Sequence, residues 1–385
     1  MLALVGGTIY PSPIDAAIPD GVILIEDRRI AATGRRGALE IPPEATTIDC
    51  TGLTITAGFW NSHVHFFERK WAKAGEIPAD ELGRQLENTF LRFGFTSVFD
   101  LSSEWENTRR IRNRIESGEV NGPRIRSTGL GLLPVNPGLP PDPVMNFMGV
   151  IKSSMPEVAD AEQAATAARK LLEDGVDAIK LFVSSPSKSS IPESAIQAAV
   201  DEAHRAGKPV FVHPNTATDV MAAVRSGADI IGHTTPASGS WDESILTAMK
   251  ERGVALTPTL SIWKYFLRHD RLSVLEKSVN TALSQLRAWA DLGGTVLFGT
   301  DLGAVDPDPS EEYGLMSAAG MSFSQILASL TTAPAERFGC SNELGRIAPG
   351  YRADLVALRG HPAEDLRVLT DVQYVMRDGE LIHSL

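Results

Sequence analysis

The sequence has little cysteine, few aromatic residues and less positive than negative charge. Two cysteines among 385 residues, Cys50 and Cys340, exclude a disulfide framework and a thiolate metal cluster. Such sparse cysteine is typical of a reducing compartment, so we expect a cytoplasmic protein. Lysine and arginine number 36 against 48 acidic residues, a net charge of −12, which argues against nucleic acid or an anionic membrane as partner.

Long apolar runs are missing as well. No stretch approaches the roughly 18 apolar residues of a transmembrane helix. The first residues, MLALVGGTIY, have no basic region and predict a strand instead of a secretory signal. With 43% hydrophobic and 22% charged residues, the composition is that of an ordinary globular protein. We expect a homo-oligomer that binds a small molecule.

Short β-like segments occur at both ends of the chain. Leu4–Tyr10 and Gly21–Glu26 are apolar runs near the N-terminus, and Asp354–Arg359 and Gln373–Arg377 resemble them near the C-terminus. Neither end is long enough to form a domain alone. Because chain termini are often close in folded domains, we predict a composite β-sandwich built from residues 1–56 and 345–385.

Between the two ends, short apolar runs alternate with amphipathic helical segments. The eight runs are Thr56–Trp60, Thr96–Phe99, Arg124–Thr128, Ala178–Val183, Pro209–Val212, Asp229–Gly232, Ala255–Thr257 and Thr295–Gly299. Eight such units in residues 57–344 predict an α/β protein with a (β/α)8 TIM barrel. A doubly wound sheet is the alternative, but it usually has about five or six strands and a glycine-rich phosphate turn. The proline-rich loop 129–154 is typical of a lid or binding loop.

Potential metal ligands follow four of the predicted barrel strands. His63 and His65 are two residues apart after the first run, so their side chains face the same side. His213 ends the fifth run, His233 the sixth and Asp301 the eighth. The carboxyl ends of barrel strands meet at the active-site mouth, and imidazole with carboxylate suits Zn, Fe, Mn or Ni. We therefore predict a metal centre there.

Lys180 lies inside the fourth apolar run, DAIKLFVSS. A buried lysine is costly unless it is paired, and an ion pair with a barrel carboxylate such as Asp100 is one explanation. We favour a carbamate, in which the neutral amine adds carbon dioxide and becomes an anionic metal ligand. A low-dielectric environment lowers the pKa of lysine and makes the neutral amine available.

The candidates for substrate binding are less specific. Aromatic residues that could line an apolar pocket, or equally pack in the core, are Phe66, Phe67, Trp71, Trp263 and Tyr265. The residues that follow the ligands are small and polar, and we take Asn215 and Thr234 as further substrate-binding candidates.

Several motifs together resemble the metal-dependent amidohydrolase superfamily over nearly the whole chain. They are GFWNSHVH (58–65), DAIKLF (177–182), EAHRAGKPVFVH (202–213), GADIIGH (227–233), GTD (299–301) and LGRIAPGYRADLVAL (344–358). Within it, the chain is most similar to the imidazolonepropionase-like group, particularly Xaa-Pro dipeptidase-type members with a carboxylated lysine. The resemblance implies two divalent metal ions, with zinc as the first expectation. It places His63, His65 and Asp301 on one ion and His213 and His233 on the other, with carboxylated Lys180 and a hydroxide between them.

The same resemblance implies hydrolysis of an amide carbon–nitrogen bond by the bridging hydroxide, with Asp301 as general acid and base. The substrate would be a small molecule such as a dipeptide, an N-acyl amino acid or a cyclic amide. A mononuclear imidazolone-type ring hydrolase or deaminase remains an alternative, and so does a catalytically inactive structural homologue.

Three departures from the relatives' patterns are informative. Deaminase-type members carry Glu where this chain has Thr216, and relatives often carry Glu where it has Gly232. The Ser-rich stretch 184–190 replaces a Gly-rich, Tyr-containing stretch of the dipeptidase-type members, so the resemblance does not extend to the residues that read a dipeptide.

Overall fold

The computed structural model describes residues 1–137, 155–185, 189–303 and 307–385. Much of the loop 129–154 and part of the stretch 184–190 therefore lie outside the described residues. The strands are β1 (Leu2–Ile9), β2 (Ile18–Glu26), β3 (Arg29–Arg35), β4 (Thr46–Asp49), β5 (Leu53–Ala57), β6 (Phe59–Val64), β7 (Phe95–Asp100), β8 (Arg124–Ser127), β9 (Leu133–Pro134), β10 (Glu157–Val158), β11 (Ile179–Phe182), β12 (Val210–His213), β13 (Ile230–Gly232), β14 (Ala255–Thr257), β15 (Thr295–Val296), β16 (Leu355–Arg359), β17 (Val372–Arg377) and β18 (Glu380–Ser384).

The helices of the described part are mostly amphipathic, with one face packed on the parallel strands. They are α1 (Ala79–Thr89), α2 (Trp105–Glu116), α3 (Ala161–Glu173), α4 (Glu193–Arg205), α5 (Ala217–Arg225), α6 (Glu243–Glu251), α7 (Ser261–Phe266), α8 (Leu272–Asp291), α9 (Ser310–Ala318), α10 (Phe323–Leu330) and α11 (Thr332–Arg337). Short 3-10 turns occur at Arg69–Trp71, Leu91–Phe93, Pro236–Ser238 and Leu366–Thr370. Among the described residues, no helix is long and apolar enough to cross a membrane.

Strands from both ends of the chain form one sheet. Its order is β18-β17-β16-β5-β1-β2-β3, with β4 pairing β1. The two ends meet where β5 pairs antiparallel with β16, with Ala57 opposite Leu355 and Ile55 opposite Ala357. Buried isoleucines from the N-terminal strands pack on residues from both ends to form a separate core. The hydrogen bonds connect these strands as a single sheet, where the sequence suggests a sandwich.

The central part of the chain supplies parallel strands in two sheets. One has the order β6-β7-β8 and the other β11-β12-β13-β14-β15. Isolated parallel bridges, Val64 to Leu302 and Leu132 to Leu181, link the two groups of strands. All eight predicted runs contribute a strand, so the α/β class is confirmed. In the described residues the strands do not form one continuous closed sheet, so barrel closure remains a prediction.

The first predicted run, Thr56–Trp60, is wrong in its boundaries. It is divided at Gly58 between β5, which belongs to the terminal sheet, and β6, which belongs to the parallel sheet. A Cβ on Gly58 would lie 2.2 Å from the Thr96 Oγ1, so only glycine allows the chain to cross so close to β7. The apolar run looked continuous because both strands are buried.

Candidate metal centre

The predicted ligands converge at the carboxyl ends of the parallel strands. His63 lies near the end of β6 and His65 just beyond it, and their rings are 5.3 Å apart between centroids. Asp301 follows β15, and its backbone N–H donates to the carbonyl of His63. Its Oδ1 lies 2.6 Å from Nε2 of His65 and 3.3 Å from Nε2 of His63. The strand-end positions therefore bring three sequence-predicted ligands together.

His233 connects this group to His213. The His233 ring centroid is 4.7 Å from that of His63 and 4.6 Å from that of His213. His233 and Asp301 both have positive φ angles, 86° and 57°. Non-glycine residues rarely adopt this backbone region, and such strain persists at functional sites where the surroundings enforce it.

Lys180 occupies the space beneath these side chains. It lies on β11, is 1% exposed, and its Nζ has no hydrogen-bond partner among the described residues. The Asp100 carboxylate instead accepts hydrogen bonds from the hydroxyls of Ser103, Thr108 and Ser127. The ion pair between Lys180 and Asp100 is therefore not formed, and the lysine has the buried, unsatisfied nitrogen that the carbamate hypothesis requires.

The electrostatics of the site favour the metal-binding protonation states. Burial lowers the pKa of His63 and His233 well below the usual range, and burial together with nearby Lys180 lowers that of His213 to about 4. Burial also lowers the pKa of Lys180 to about 7, although Asp301 opposes this effect. Burial would raise the pKa of Asp301, but His63 and His65 hold it well below its usual range. Neutral imidazoles and a carboxylate are the forms that bind metals.

Hydrogen bonds outside the cluster orient several of its imidazoles. His65 Nδ1 contacts the carbonyl of Leu101, and His233 Nδ1 lies 2.5 Å from the hydroxyl of Thr259. A carbonyl only accepts, so His65 donates from Nδ1 and its other ring nitrogen presents a lone pair to a metal, while the Thr259 hydroxyl orients the ring of His233. In His65 this other nitrogen is Nε2, which lies beside the Asp301 carboxylate.

The donor set fits a divalent transition metal. His63, His233 and Asp301 each place a ligand atom within 4.8 Å of the other two. The unpartnered Lys180 Nζ and His63 Nδ1 are further buried polar atoms at the same place. This triad combines members of both predicted ligand sets, so the assignment of residues to one ion or the other stays a prediction.

Two glycines make room for this cluster. A Cβ on Gly232 would lie 3.2 Å from His63 Cε1 and 3.3 Å from Lys180 Nζ, and one on Gly299 would lie 2.7 Å from His63 Cβ. All three distances are shorter than an ordinary van der Waals contact. A glutamate at position 232 would therefore need a different arrangement of His63 and Lys180.

The structure separates the aromatic candidates into two groups. Phe66 and Trp71 are fully buried and pack on each other and on Phe90, so they belong to the hydrophobic core. Phe67 is half-buried and stacks on His65 with ring centroids 4.5 Å apart. Trp263 is half-buried, and its indole N–H donates to the Thr234 hydroxyl beside His233.

The remaining candidates lie further from the ligands or already have partners. Tyr265 is exposed under the guanidinium of Arg268. Asn215 is exposed, and its amide donates to the carbonyl of Ser184. A hydrogen bond from Asn215 also raises the pKa of His213, which opposes the lowering by burial. The Asn215 amide is therefore already engaged with Ser184.

Two residues near the ligands were missed by sequence reasoning. Phe182 packs beside His213 with ring centroids 5.2 Å apart, and strand alternation from Lys180 could have indicated its position. Thr259 has no such signal, because it belongs to the loop after β14, and only the folded chain brings it to His233.

Comparison with known proteins identifies the family of the chain. Residues 54–382 match the model of the amidohydrolase family. The chain belongs to the amidohydrolase family. The predicted superfamily is thereby confirmed, and the chain is a hydrolase that acts on carbon–nitrogen bonds.

Several characterised proteins and solved structures are similar to this amidohydrolase. An ochratoxinase from Aspergillus niger is 24% identical over 405 aligned residues, which cover 94% of this chain and 82% of that protein. A Xaa-Pro dipeptidase with bound methionine superposes with a TM-score of 0.85 at 24% identity, covering all of both chains. A prolidase complexed with N-methylphosphonate-L-proline has a TM-score of 0.80 at 27% identity, again over all of both chains.

Proposed function

We propose that this amidohydrolase cleaves an amide bond in a small molecule at a centre of two divalent metal ions, with zinc as the expected metal. The observation that carries the proposal is the buried Lys180 amine, which has no hydrogen-bond partner among the described residues and lies among four histidines and Asp301. In this proposal Lys180, as a carbamate, would be a further anionic ligand that helps to hold the ions. The parallel strands that hold these residues would form the closed (β/α)8 barrel, with residues 1–56 and 345–385 as the second domain.

The chain's own residues have separable tasks. Metal ions, when bound, polarise a carbonyl and lower the pKa of a bound water. The five histidine and aspartate side chains hold the ions, and the hydrogen bonds at His65 and His233 keep their rings in place. Asp301 is the proton carrier, since its carboxylate lies beside His63 and His65, and these imidazoles hold its pKa well below its usual range, so that it is ionised.

We propose that the substrate has an apolar, flat group. Three half-buried aromatic rings, Phe67, Phe182 and Trp263, lie next to His65, His213 and Thr234 respectively. The polar groups of Asn215 and Thr234 are already engaged with neighbouring residues, which leaves the ring faces as binding surface. Dipeptides, N-acyl amino acids and cyclic amides with an apolar group are the classes to test.

Metal content and amide hydrolysis test the proposal together. Protein purified without chelators and with bicarbonate is analysed for metals, and a library of amides with apolar or small polar groups is assayed. We expect about two ions per chain and turnover of the apolar members. Turnover of small polar amides alone would contradict the apolar substrate class.

The Lys180→Ala variant tests the bridging role. We expect it to lose bound metal and to lose activity by more than the roughly 10–100-fold that removal of an outer-shell partner costs. Lys170→Ala is the matched control, because Lys170 is an exposed lysine paired with Asp174 on helix α3. Lys180→Ala protein with two ions and full activity would contradict the carbamate.

The mononuclear alternative predicts one ion per chain, and it predicts that Lys180→Ala keeps this ion. Residue 216 does not favour it, because Thr216 caps helix α5 instead of supplying a proton-shuttling carboxylate. Protein that holds no metal after reconstitution would support an inactive homologue.

A further inference from the structure

The loop that follows β14 contacts the proposed metal centre through one hydroxyl. Thr259 is fully buried, and its Oγ1 lies 2.5 Å from Nδ1 of His233. If the imidazole donates from Nδ1, its Nε2 lone pair is free for a metal. The position of this hydroxyl therefore sets the orientation of His233.

Thr259 holds that position in an unfavourable backbone conformation. Its φ is +43°, a strained backbone region that β-branched residues rarely adopt. Such a conformation persists only where neighbouring contacts enforce it. The contacts that do so are found immediately after Thr259.

A buried carboxylate clamps the next two residues. The Glu312 Oε1 accepts the backbone N–H of Leu260 at 2.8 Å, and its Oε2 accepts that of Ser261 at 2.8 Å. These N–H groups begin helix α7, whose own N-cap residue, Leu260, supplies no side-chain cap. Glu312 is 1% exposed and comes from helix α9, some fifty residues later in the chain. It acts as an external cap for α7.

We infer that Glu312 is a positioning residue for His233, acting through the backbone of Leu260 and Ser261 and the hydroxyl of Thr259. This inference rests on the proposed metal centre. Both carboxylate oxygens are needed, because two parallel N–H groups have to be satisfied. If Glu312 had a purely structural role, it would stabilise helix α7 and would have no effect on His233.

Three variants separate the steps of this connection. Thr259→Val keeps the shape and removes the hydroxyl, while Thr259→Ser keeps the hydroxyl. Glu312→Gln keeps the size of the side chain but provides one acceptor oxygen instead of two. Glu311→Gln is the matched control, because Glu311 precedes Glu312 on α9 and is an exposed acid paired with Lys264.

The readout is the rate at which a chromogenic chelator removes zinc from the loaded protein, followed alongside the melting temperature of the metal-free protein. We expect Thr259→Val and Glu312→Gln to release one of the bound ions about 10–100 times faster than wild type. Thr259→Ser and Glu311→Gln should release zinc at the wild-type rate. The double variant Thr259→Val/Glu312→Gln should be no faster than Thr259→Val alone, because both changes act through the same hydroxyl.

The opposite outcomes are distinct. If Glu312→Gln lowers the melting temperature but releases zinc at the wild-type rate, Glu312 is only structural and the inference is wrong. Additive effects in the double variant would also overturn it. Wild-type protein that binds no zinc would contradict the proposed metal centre itself, and this inference would fall with it.

Discussion

Glu312 shows how one buried side chain makes stability depend on pH. Burial raises the pKa of Glu312 to about 7, although the N–H groups of Ser261 and Leu260 oppose the shift and nearby Glu311 adds to it. The folded protein therefore favours the protonated carboxyl. The resulting stabilisation is complete below the unfolded-state pKa of 4.5 and is lost as the pH rises from there towards 7.

We expect Glu312→Gln to lack this pH-dependent loss of stability, because a glutamine at position 312 does not titrate. Between about pH 5 and pH 8, the free energy of unfolding of metal-free wild type should fall relative to the variant by up to roughly 3 kcal/mol, at about 1.4 kcal/mol per pKa unit. Urea denaturation of both proteins across this range measures the difference. Parallel pH profiles would show that Glu312 titrates normally.

At the scale of elements, the turn from β12 into helix α5 connects a ligand strand to a helix start. Thr216 and Asp219 form a capping box at the start of α5. The Asp219 carboxylate also accepts the backbone N–H of Asn215 and the hydroxyl of Ser184. This network fixes the segment that leaves His213, and it explains why a small hydroxyl residue stands at position 216.

Asp219→Ala removes the bonds that the carboxylate accepts from the N–H groups of Asn215 and Thr216 and from the Ser184 hydroxyl, and keeps the bond from the backbone N–H of residue 219 to Thr216. We expect the free energy of unfolding to fall by about 1–2 kcal/mol and zinc to leave the protein faster, because the segment after His213 loses its anchor. Asp160→Ala is the control, since Asp160 caps α3 through the N–H of Gln163 at a helix without a ligand before it. It should cost about 1 kcal/mol and leave zinc release unchanged. Identical zinc release in the two variants would contradict the anchoring role.

At the scale of the whole molecule, a chain of ion pairs joins the parallel strands to the terminal sheet. Arg124 on β8 lies 2.5 Å from Asp354 and 2.9 Å from Asp378, and Asp378 also pairs with Arg352. The Asp354 side chain is only 3% exposed. A carboxylate buried to this degree is costly once its partner is removed.

Arg124→Met therefore leaves two carboxylates without their shared partner. We expect a loss of about 3–5 kcal/mol in the free energy of unfolding. Arg28→Met is the control, because the Arg28–Glu380 pair is exposed on both sides and should contribute no more than about 1 kcal/mol. Denaturant unfolding of the two variants checks the difference, and equal effects would mean that this network does not hold the two sheets together.

Sequence patterns predicted the local features of this protein well. The amphipathic stretches 104–117, 192–206 and 242–252 predict helices, and α2, α4 and α6 begin and end within one residue of these bounds. The strand-end positions of His63, His213, His233 and Asp301 were sufficient to predict a metal centre, because parallel strands bring their carboxyl ends together. The division of the first run at Gly58 was not predictable, since both halves are equally apolar.

Residue type and short-range periodicity were enough to indicate which residues could bind a metal and which strands would carry them. Tertiary contacts were needed to show that Lys180 has no hydrogen-bond partner among the described residues, that Phe66 and Trp71 belong to the core, and that Glu312 reaches the start of α7. Glu312 and Leu260 are 52 positions apart in the chain, and Phe66 and Phe90 are 24 positions apart. Such contacts depend on how the helices and strands pack, and local sequence patterns do not predict that packing.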